Sequence, residues 1–246
     1  MKYSYDFLVR SQEVDNDKLV TNKAYMEMLS EITMMHGWKA GHTSTEGISP
    51  VSWMVLGWKL QILRRLKMFD TAHAATWISR YDKVKAYREY IIYGENGEEC
   101  AKASAVWVAL DGEKGTFRRL SDELLKQFEI CDDSDTFTGH SVFPDYQLKQ
   151  PGKSGTDICS TMEFRVINQM LDYNGHVHNS EYINIADQII PKEIKRSSLT
   201  NVEIFYKQQI LPDSMVSLEY TCSEGKHSVF IRDSEKKALH ATVVQY

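Results

Sequence analysis

The chain has 246 residues, 42% hydrophobic and 26% charged, with a formal net charge of -5. This is ordinary globular composition, enough for one large domain or two small ones, and wholesale attraction to nucleic acid is not expected. No apolar run is long enough to span a bilayer and the first ten residues lack the apolar core of a signal peptide, so the expectation is a soluble cytoplasmic protein, with no membrane partner.

In chain order, residues 3 to 9 read as a strand and Leu19 to Trp38 as a helix, with Tyr25, Met28, Leu29 and Ile32 on one side. Gly41 to Pro50 reads as a loop. Strand-like runs follow at roughly 52 to 66, 73 to 80, 84 to 93 and 100 to 110, with Gly94-Glu-Asn-Gly97 as a hairpin signal between the last two. Lys59 to Arg88 holds eight basic residues against Asp70 and Asp82, a segment of +6 that could receive an acidic partner; from charge alone a solvated sheet face is the blander reading. Ser121 to Ile130 reads as a short helix, and 131 to 156, rich in Asp, Ser, Gly and Pro, as a linker. Cys100, Cys131, Cys159 and Cys222 are scattered with no CxxC pair, which points to reduced thiols rather than a disulfide framework or a zinc site.

The second half repeats the order. A strand at 158 to 168 precedes Leu171-Asp-Tyr-Asn-Gly-His-Val-His-Asn-Ser-Glu-Tyr182, then a helix and strand-like runs near 201 to 210, 214 to 222, 226 to 232 and 237 to 245. At one offset, 172 − 15 = 157, Asp15 falls on Asp172, Val20 on Val177, Asn22 on Asn179, Tyr25 on Tyr182 and Ile32 on Ile189. Such self-similarity implies two copies of one unit. Each unit has an apolar helix followed by an antiparallel meander, which suggests a sheet wrapped around a central helix, and the two can join edge to edge. The domains expected are 1–130, a linker at 131–156, and 157–246.

The copies differ in chemistry: Leu19 stands where the second copy has His176. Alternation in an extended stretch would aim Asp172, Asn174 and His176 the same way, ahead of a helix whose plausible N-cap is Asn179. A carboxylate, an amide and an imidazole beside unpaired helix N–H groups make a candidate hydrolytic site. Each has a blander reading: Asp172 as a turn cap, Asn174 as a turn residue, and His176 with His178 and Asp172 as metal ligands, the last disfavoured for want of a second ligand cluster. All five tryptophans and Met26, Met28, Met34 and Met35 lie in the first copy. They suit either a well-packed core or a tunnel for a flexible apolar ligand.

The run Asp172 to Tyr182 resembles the D-x-N-x-H-V-N-N-x-x-Y signature of acyl-ACP thioesterases of plants and bacteria. Trp53-Met-Val-Leu, Thr76-Trp77, Arg88-Glu-Tyr-Ile-Ile-Tyr and Ala105-Val-Trp107-Val-Ala-Leu-Asp111 resemble that family's N-terminal strands in order and approximate spacing. The resemblance covers nearly the whole chain. It implies an α+β double hotdog and hydrolysis of the thioester joining a fatty acyl chain to the phosphopantetheine arm of acyl carrier protein. The first hotdog would hold the chain, through Met28, Trp53, Trp77 and, from the second half, Asn179. The second would carry the chemistry. Arg64, Arg65, Lys67, Lys83 and Lys85 become candidates for docking the acidic carrier. No cofactor or metal is implied; a homodimer is left open.

Three positions depart from the pattern: His178 stands where the family has Asn, Gln209 where it has Glu, and Ile210 where many members have Cys. A cysteine nucleophile and a glutamate base are therefore absent there. Asp172 is then expected to activate water, directly or through His176, or to attack the thioester itself. Asn174 would orient water or bind the thioester oxygen, Gln209 would position water, and backbone N–H groups near Asn179 would stabilise the oxyanion. The alternatives are an acyl-CoA thioesterase or dehydratase of the hotdog type, and a degenerate module that binds acyl-ACP without turnover.

Overall fold

Alternating apolar residues produce ten strands, and the two apolar runs after the Asp motifs produce helices. The computed structural model describes residues 2–44, 51–131, 157–235 and 237–246; most of the expected loop at Gly41 to Pro50 and nearly all of the expected linker lie outside the described residues. The first half contains β1 (Tyr3–Leu8), α1 (Asn22–Lys39), β2 (Val51–Ile62), β3 (Thr71–Tyr81), β4 (Lys85–Tyr93), β5 (Glu99–Asp111) and α2 (Asp122–Leu125). The second contains β6 (Ser160–Arg165), α3 (Glu181–Asp187), β7 (Asn201–Tyr206), β8 (Met215–Ser223), β9 (Lys226–Asp233) and β10 (Leu239–Gln245). Among the described residues no helix is long and apolar enough to cross a membrane.

All ten strands form one sheet in the order β1-β3-β4-β5-β2-β7-β10-β9-β8-β6. Read outward from the β2–β7 junction, the two halves have the same order, so the repeat seen in the residues is a repeat of topology. The junction is antiparallel, from Gly57↔Phe205 to Gln61↔Asn201, with Lys59 opposite Glu203. Joining the halves there removes two strand edges; β1 and β6 remain as the outer edges. One buried apolar cluster runs through both halves and includes Tyr25, Ile32, Trp58, Tyr182, Ile185 and Ile204. This is the double hotdog arrangement.

Both junction strands stop earlier than their apolar runs suggest. After β2, the N–H groups of Leu63 and Arg64 both turn onto the Cys100 carbonyl (2.8 and 3.0 Å); after β7, those of Lys207 and Gln208 both turn onto the His240 carbonyl (2.8 and 3.1 Å). Two successive donors on one acceptor form a bulge, which disrupts the ladder locally at the point where each of these strands ends.

The helices are unequal. α1 runs 18 residues, its first turn capped by the Thr21 hydroxyl, which accepts the Ala24 N–H at 3.2 Å. α3 runs only seven. Pro191 cannot continue it and disfavours helical backbone at Ile190. Arg196 takes up the carbonyls left open there, donating to Asp187 O (3.1 Å), Ile190 O (2.7 Å), Pro191 O (3.1 Å) and Ile194 O (2.6 Å). The expected helical run through Ile189 is thus cut short, and Gln188 and Ile189 continue as a turn.

A polar chain crosses between the halves. The Arg65 guanidinium donates to Val20 O, Asn22 Oδ1 and Ser197 O, each at 2.7 Å, and to Leu199 O at 2.8 Å. Asn22 Nδ2 donates to Gln245 Oε1 (2.8 Å), whose amide in turn donates to Asp187 Oδ1 (2.8 Å). Burial pushes the pKa of Asp187 up, against the opposing pull of Gln245 and Arg196.

Candidate active site

The motif is a tight loop and not an extended stretch. Leu171 and Val177 form a single antiparallel bridge, and the Asp172 N–H donates to His176 O at 2.7 Å. Inside the loop, Asp172 Oδ1 accepts the N–H groups of Asn174 (2.8 Å) and His176 (3.1 Å), while Oδ2 lies 3.5 Å from Asn174 Nδ2. An Asp accepting N–H groups two and four residues on is turn chemistry. Gly175 takes φ +75° to complete it. The expectation that Asp172, Asn174 and His176 project together from a strand is therefore corrected: the carboxylate folds the loop and aims Asn174.

The first half builds the same loop. Val14 bridges Val20, the Asp15 N–H donates to Leu19 O (2.8 Å), and Asp15 Oδ1 accepts the N–H groups of Asp17 (2.9 Å) and Leu19 (3.0 Å). Lys18 occupies the place of Gly175, at φ +62°.

Asn179 does not cap α3. Ser180 holds that position in helical backbone with no side-chain cap, and the Asn179 carbonyl instead accepts the Tyr206 hydroxyl at 2.9 Å. The N–H groups of Ser180 and Glu181 are both committed to His178, to its Nδ1 at 3.3 Å and its carbonyl at 2.9 Å. They are not free to receive an oxyanion.

Two cavities meet at this loop. A cleft of about 810 Å³ is walled by Met28, Met34 and Met35 of α1 and, across from them, by Asp172, Asn174 and His178. Asn179 lies on the same wall. A pocket of about 460 Å³ reaches into the first half between α1 and the sheet, past Thr33, Ile78, Ala86, Arg88 and Phe128. Met34, Trp53, Trp107, Tyr173 and Asn174 line both, so Asn174 stands on the wall that the two cavities share.

The inner pocket is less apolar than its tryptophans suggest. Arg88 is 5% exposed, and its guanidinium donates to His36 Nδ1 (2.9 Å) and Thr76 Oγ1 (3.3 Å). Burial pushes the Arg88 pKa down. Burial, and after it the Arg88 charge, push His36 down to about 3, so the imidazole is a neutral acceptor. Phe128 from the α2 segment packs edge-on against His36 and His42, and His42 stacks on Trp53.

Other expected site residues lie elsewhere. His176 is half-buried and Gln209 is exposed; neither lines the cleft or the pocket. Gln209 falls beyond the end of β7, and its neighbour ties it to the motif, where Ile210 O accepts the Val177 N–H at 3.1 Å. Trp77 is buried on the opposite face of β3 from Ile78, under the Lys2 ammonium (4.3 Å to the ring centroid), and lines neither cavity. Alternation along β3 signals this.

The basic segment is not one face. Arg65 is spent on the internal carbonyls described above, Arg88 is inside the pocket, and Arg64 pairs with Glu98. Lys67 is exposed near the end of β2, whereas Lys83 and Lys85 are exposed at the β3–β4 turn, about 27 Å away along the nine residues of β4. Only Lys83 and Lys85 form an exposed basic pair, beside the segment whose Leu120 N–H bonds Lys83 O (3.0 Å). His178 is the residue that sequence reasoning left outside the site; its signal was its place in the motif where the family pattern has Asn.

Comparison with known proteins places this architecture. The acyl-ACP thioesterase N-terminal domain model matches residues 1–128 and the C-terminal domain model residues 154–242. The chain belongs to the acyl-ACP thioesterase family. It is 23% identical over 236 residues, 91% of the chain, to oleoyl-acyl carrier protein thioesterase 1 of Arabidopsis thaliana, a chloroplastic protein, and 24% identical over 229 residues, 87% of the chain, to a chloroplastic acyl-[acyl-carrier-protein] hydrolase of Cuphea viscosissima. It covers 65% and 53% of those relatives, about half to two thirds of their length. The fold matches the 12:0-ACP thioesterase of Umbellularia californica (TM-score 0.79, 18% identity, 99% of this chain and 96% of that one) and an acyl-ACP thioesterase of Bacteroides thetaiotaomicron (TM-score 0.80, 16% identity, 99% and 96%). Among the described residues no cluster of His, Cys, Asp or Glu could hold a metal ion.

Proposed function

We propose that this chain hydrolyses fatty acyl-ACP, releasing a free fatty acid and the carrier. The observation that carries this reading is the position of Asn174 at the junction of the two cavities. A thioester held there sends its acyl chain past Trp53 and Trp107 into the inner pocket and its pantetheine arm out along the cleft. The relatives' printed names, all carrier-protein thioesterases or hydrolases, support the substrate class.

Asn174 binds the thioester oxygen or the attacking water through its amide. Asp172 keeps Oδ1 on the loop and has Oδ2 left to take the proton of that water. The leaving group is a thiolate and needs little acid help. Lys83 and Lys85 are the remaining candidates to meet an acidic carrier protein.

A second reading, a module that binds acyl-ACP without turnover, draws on Gln209, which supplies no base and lies outside the cleft. Hydrolysis of medium- to long-chain acyl-ACPs, measured against the matching acyl-CoAs, separates the readings. Turnover that favours acyl-ACP supports the proposal. Equal or better use of acyl-CoA replaces the substrate, and tight acyl-ACP binding with no turnover replaces the function.

A further inference from the structure

We propose that His178 is a catalytic residue whose Nε2–H donates to the thioester carbonyl oxygen as that oxygen becomes anionic. The inference rests on the thioesterase reading above and names an imidazole donor at a position where the family signature has Asn.

The tautomer follows from the contacts. The Ser180 backbone N–H lies 3.3 Å from His178 Nδ1 with hydrogen-bond geometry, and Ser180 Oγ lies 2.9 Å from the same nitrogen. A backbone N–H only donates, so Nδ1 is an acceptor and the ring proton resides on Nε2. Ser180 is completely buried, so its N–H and hydroxyl reach this nitrogen from inside the fold. The backbone of His178 is fixed as well: its N–H donates to Met170 O (2.8 Å) and its carbonyl accepts the Glu181 N–H (2.9 Å). With Nδ1 and both backbone groups engaged, Nε2–H is the polar group of the residue left for the cleft, whose wall His178 shares with Asp172, Asn174 and Asn179.

The arrangement also settles a shortage. A tetrahedral intermediate needs preorganised donors, and the first two N–H groups at the start of α3 are used up holding His178. One of them, the Ser180 N–H, bonds the ring itself, and by making one edge of the imidazole an acceptor it leaves a donor on the other. At the matching position of the first half, 178 − 157 = 21, Thr21 caps α1 with its hydroxyl and has no such outward group.

In the reaction, a water oxygen bonds the thioester carbon while the carbonyl π pair moves onto oxygen, and Nε2–H hydrogen-bonds that oxyanion. The proton lost by the water goes to the Asp172 carboxylate. When the C=O re-forms, the C–S bond breaks and the pantetheine thiolate leaves with its electron pair. His178 ends the cycle with the proton it began with.

The test uses the full chain, with acyl-ACP as substrate. His178→Ala is expected to lower kcat by about 10²–10³-fold, as loss of one oxyanion donor does, with KM changed by less than about threefold. His178→Gln, which restores an N–H at similar reach, is expected to recover at least about tenfold of that loss. Independently of activity, ¹⁵N-labelled histidine in the wild-type protein should show the Nε2–H tautomer at residue 178. An Ala variant within about threefold of wild-type kcat, a loss confined to KM, a Gln variant no better than Ala, or an Nδ1–H tautomer each overturns the proposal. A wild type that hydrolyses no acyl thioester removes the thioesterase reading and this inference with it. That outcome is distinct from an active wild type matched by its Ala variant.

Discussion

The loops at 14–20 and 171–177 have one backbone design and two uses. In both, an Asp accepts the N–H groups two and four residues on, and a Val closes the bridge. In the first half the loop is absorbed into the scaffold: Asp17 pairs with Lys195 of the other half at 2.6 Å, and Leu19 bridges Lys67. In the second half the equivalent of Asp17 is Asn174, exposed at the meeting of two cavities. The comparison teaches that the carboxylate common to both is first a folding device. Chemistry depends on what it holds in place.

The sharpest way to break that comparison is to truncate the residues at the Asn174 position in each half. Asn174→Ala is expected to cost about 10²-fold or more in kcat on acyl-ACP, as loss of a transition-state donor does, with a denaturation midpoint close to wild type. Asp17→Ala should leave kcat unchanged and cost no more than about 1 kcal/mol, the range for an exposed ion pair. Equal activity losses in the two variants would mean that the halves are not divided as described.

Next in size is the polar chain between the halves. Arg65→Met leaves the acceptors at Val20 O, Ser197 O and Asn22 Oδ1 short of a donor, while Leu199 O keeps the Asn22 amide, at a cost of about 1–3 kcal/mol or more by urea unfolding. Kinetics should change little at temperatures where the variant stays folded. A midpoint equal to that of wild type would show that water replaces the guanidinium without penalty.

The halves should also differ in acid sensitivity at His36. Its pKa falls from an ordinary 6.5 to about 3 on folding, so the unfolded chain takes up a proton that the folded chain refuses. The stability concerned is fully present above pH 6.5 and is lost as pH falls from there towards 3. His36→Gln, which can still accept from Arg88, should flatten this part of the stability–pH curve. An unchanged slope would assign the proton uptake to other groups.

The smallest effect contrasts the left-handed residues. Lys18→Gly should stabilise by less than about 1 kcal/mol, relief of the strained φ being partly offset by the looser unfolded chain. Gly175→Ala has open space around the new methyl and should cost about 1–2 kcal/mol through backbone strain alone. Calorimetry on both variants reads the two signs.

Much of the fold was legible because both its signals lie in the order of the residues themselves. Alternation along Ala86, Arg88, Tyr90 and Ile92 marks an inner sheet face, and the offset of 157 residues exposes the duplicated unit. The turn at Asp172 was legible too: Asp-x-Asn-Gly is turn chemistry, and the match with Asp15 pointed to it. Direction was the harder matter. Nothing local says that Arg65 turns inward onto carbonyls 132 and 134 residues away while Lys83 stays in water. Nor does an apolar run ending at Pro191 show that Arg196 will collect the free carbonyls and let α3 finish after two turns. The role of His178 depends on a nitrogen-to-backbone contact that residue spacing does not reveal.

The bond between Asn22 and Gln245 spans 223 residues. Asn22 is the first residue of α1, and its Nδ2 also donates to Leu199 O (3.0 Å), so both acceptors of this amide lie in the other half. During translation the first helix, already capped by Thr21, therefore gains these two contacts only as the other half emerges from the ribosome. Fraying at Gln245 would therefore reach Asn22 and Asp187 together, because its side-chain amide joins them.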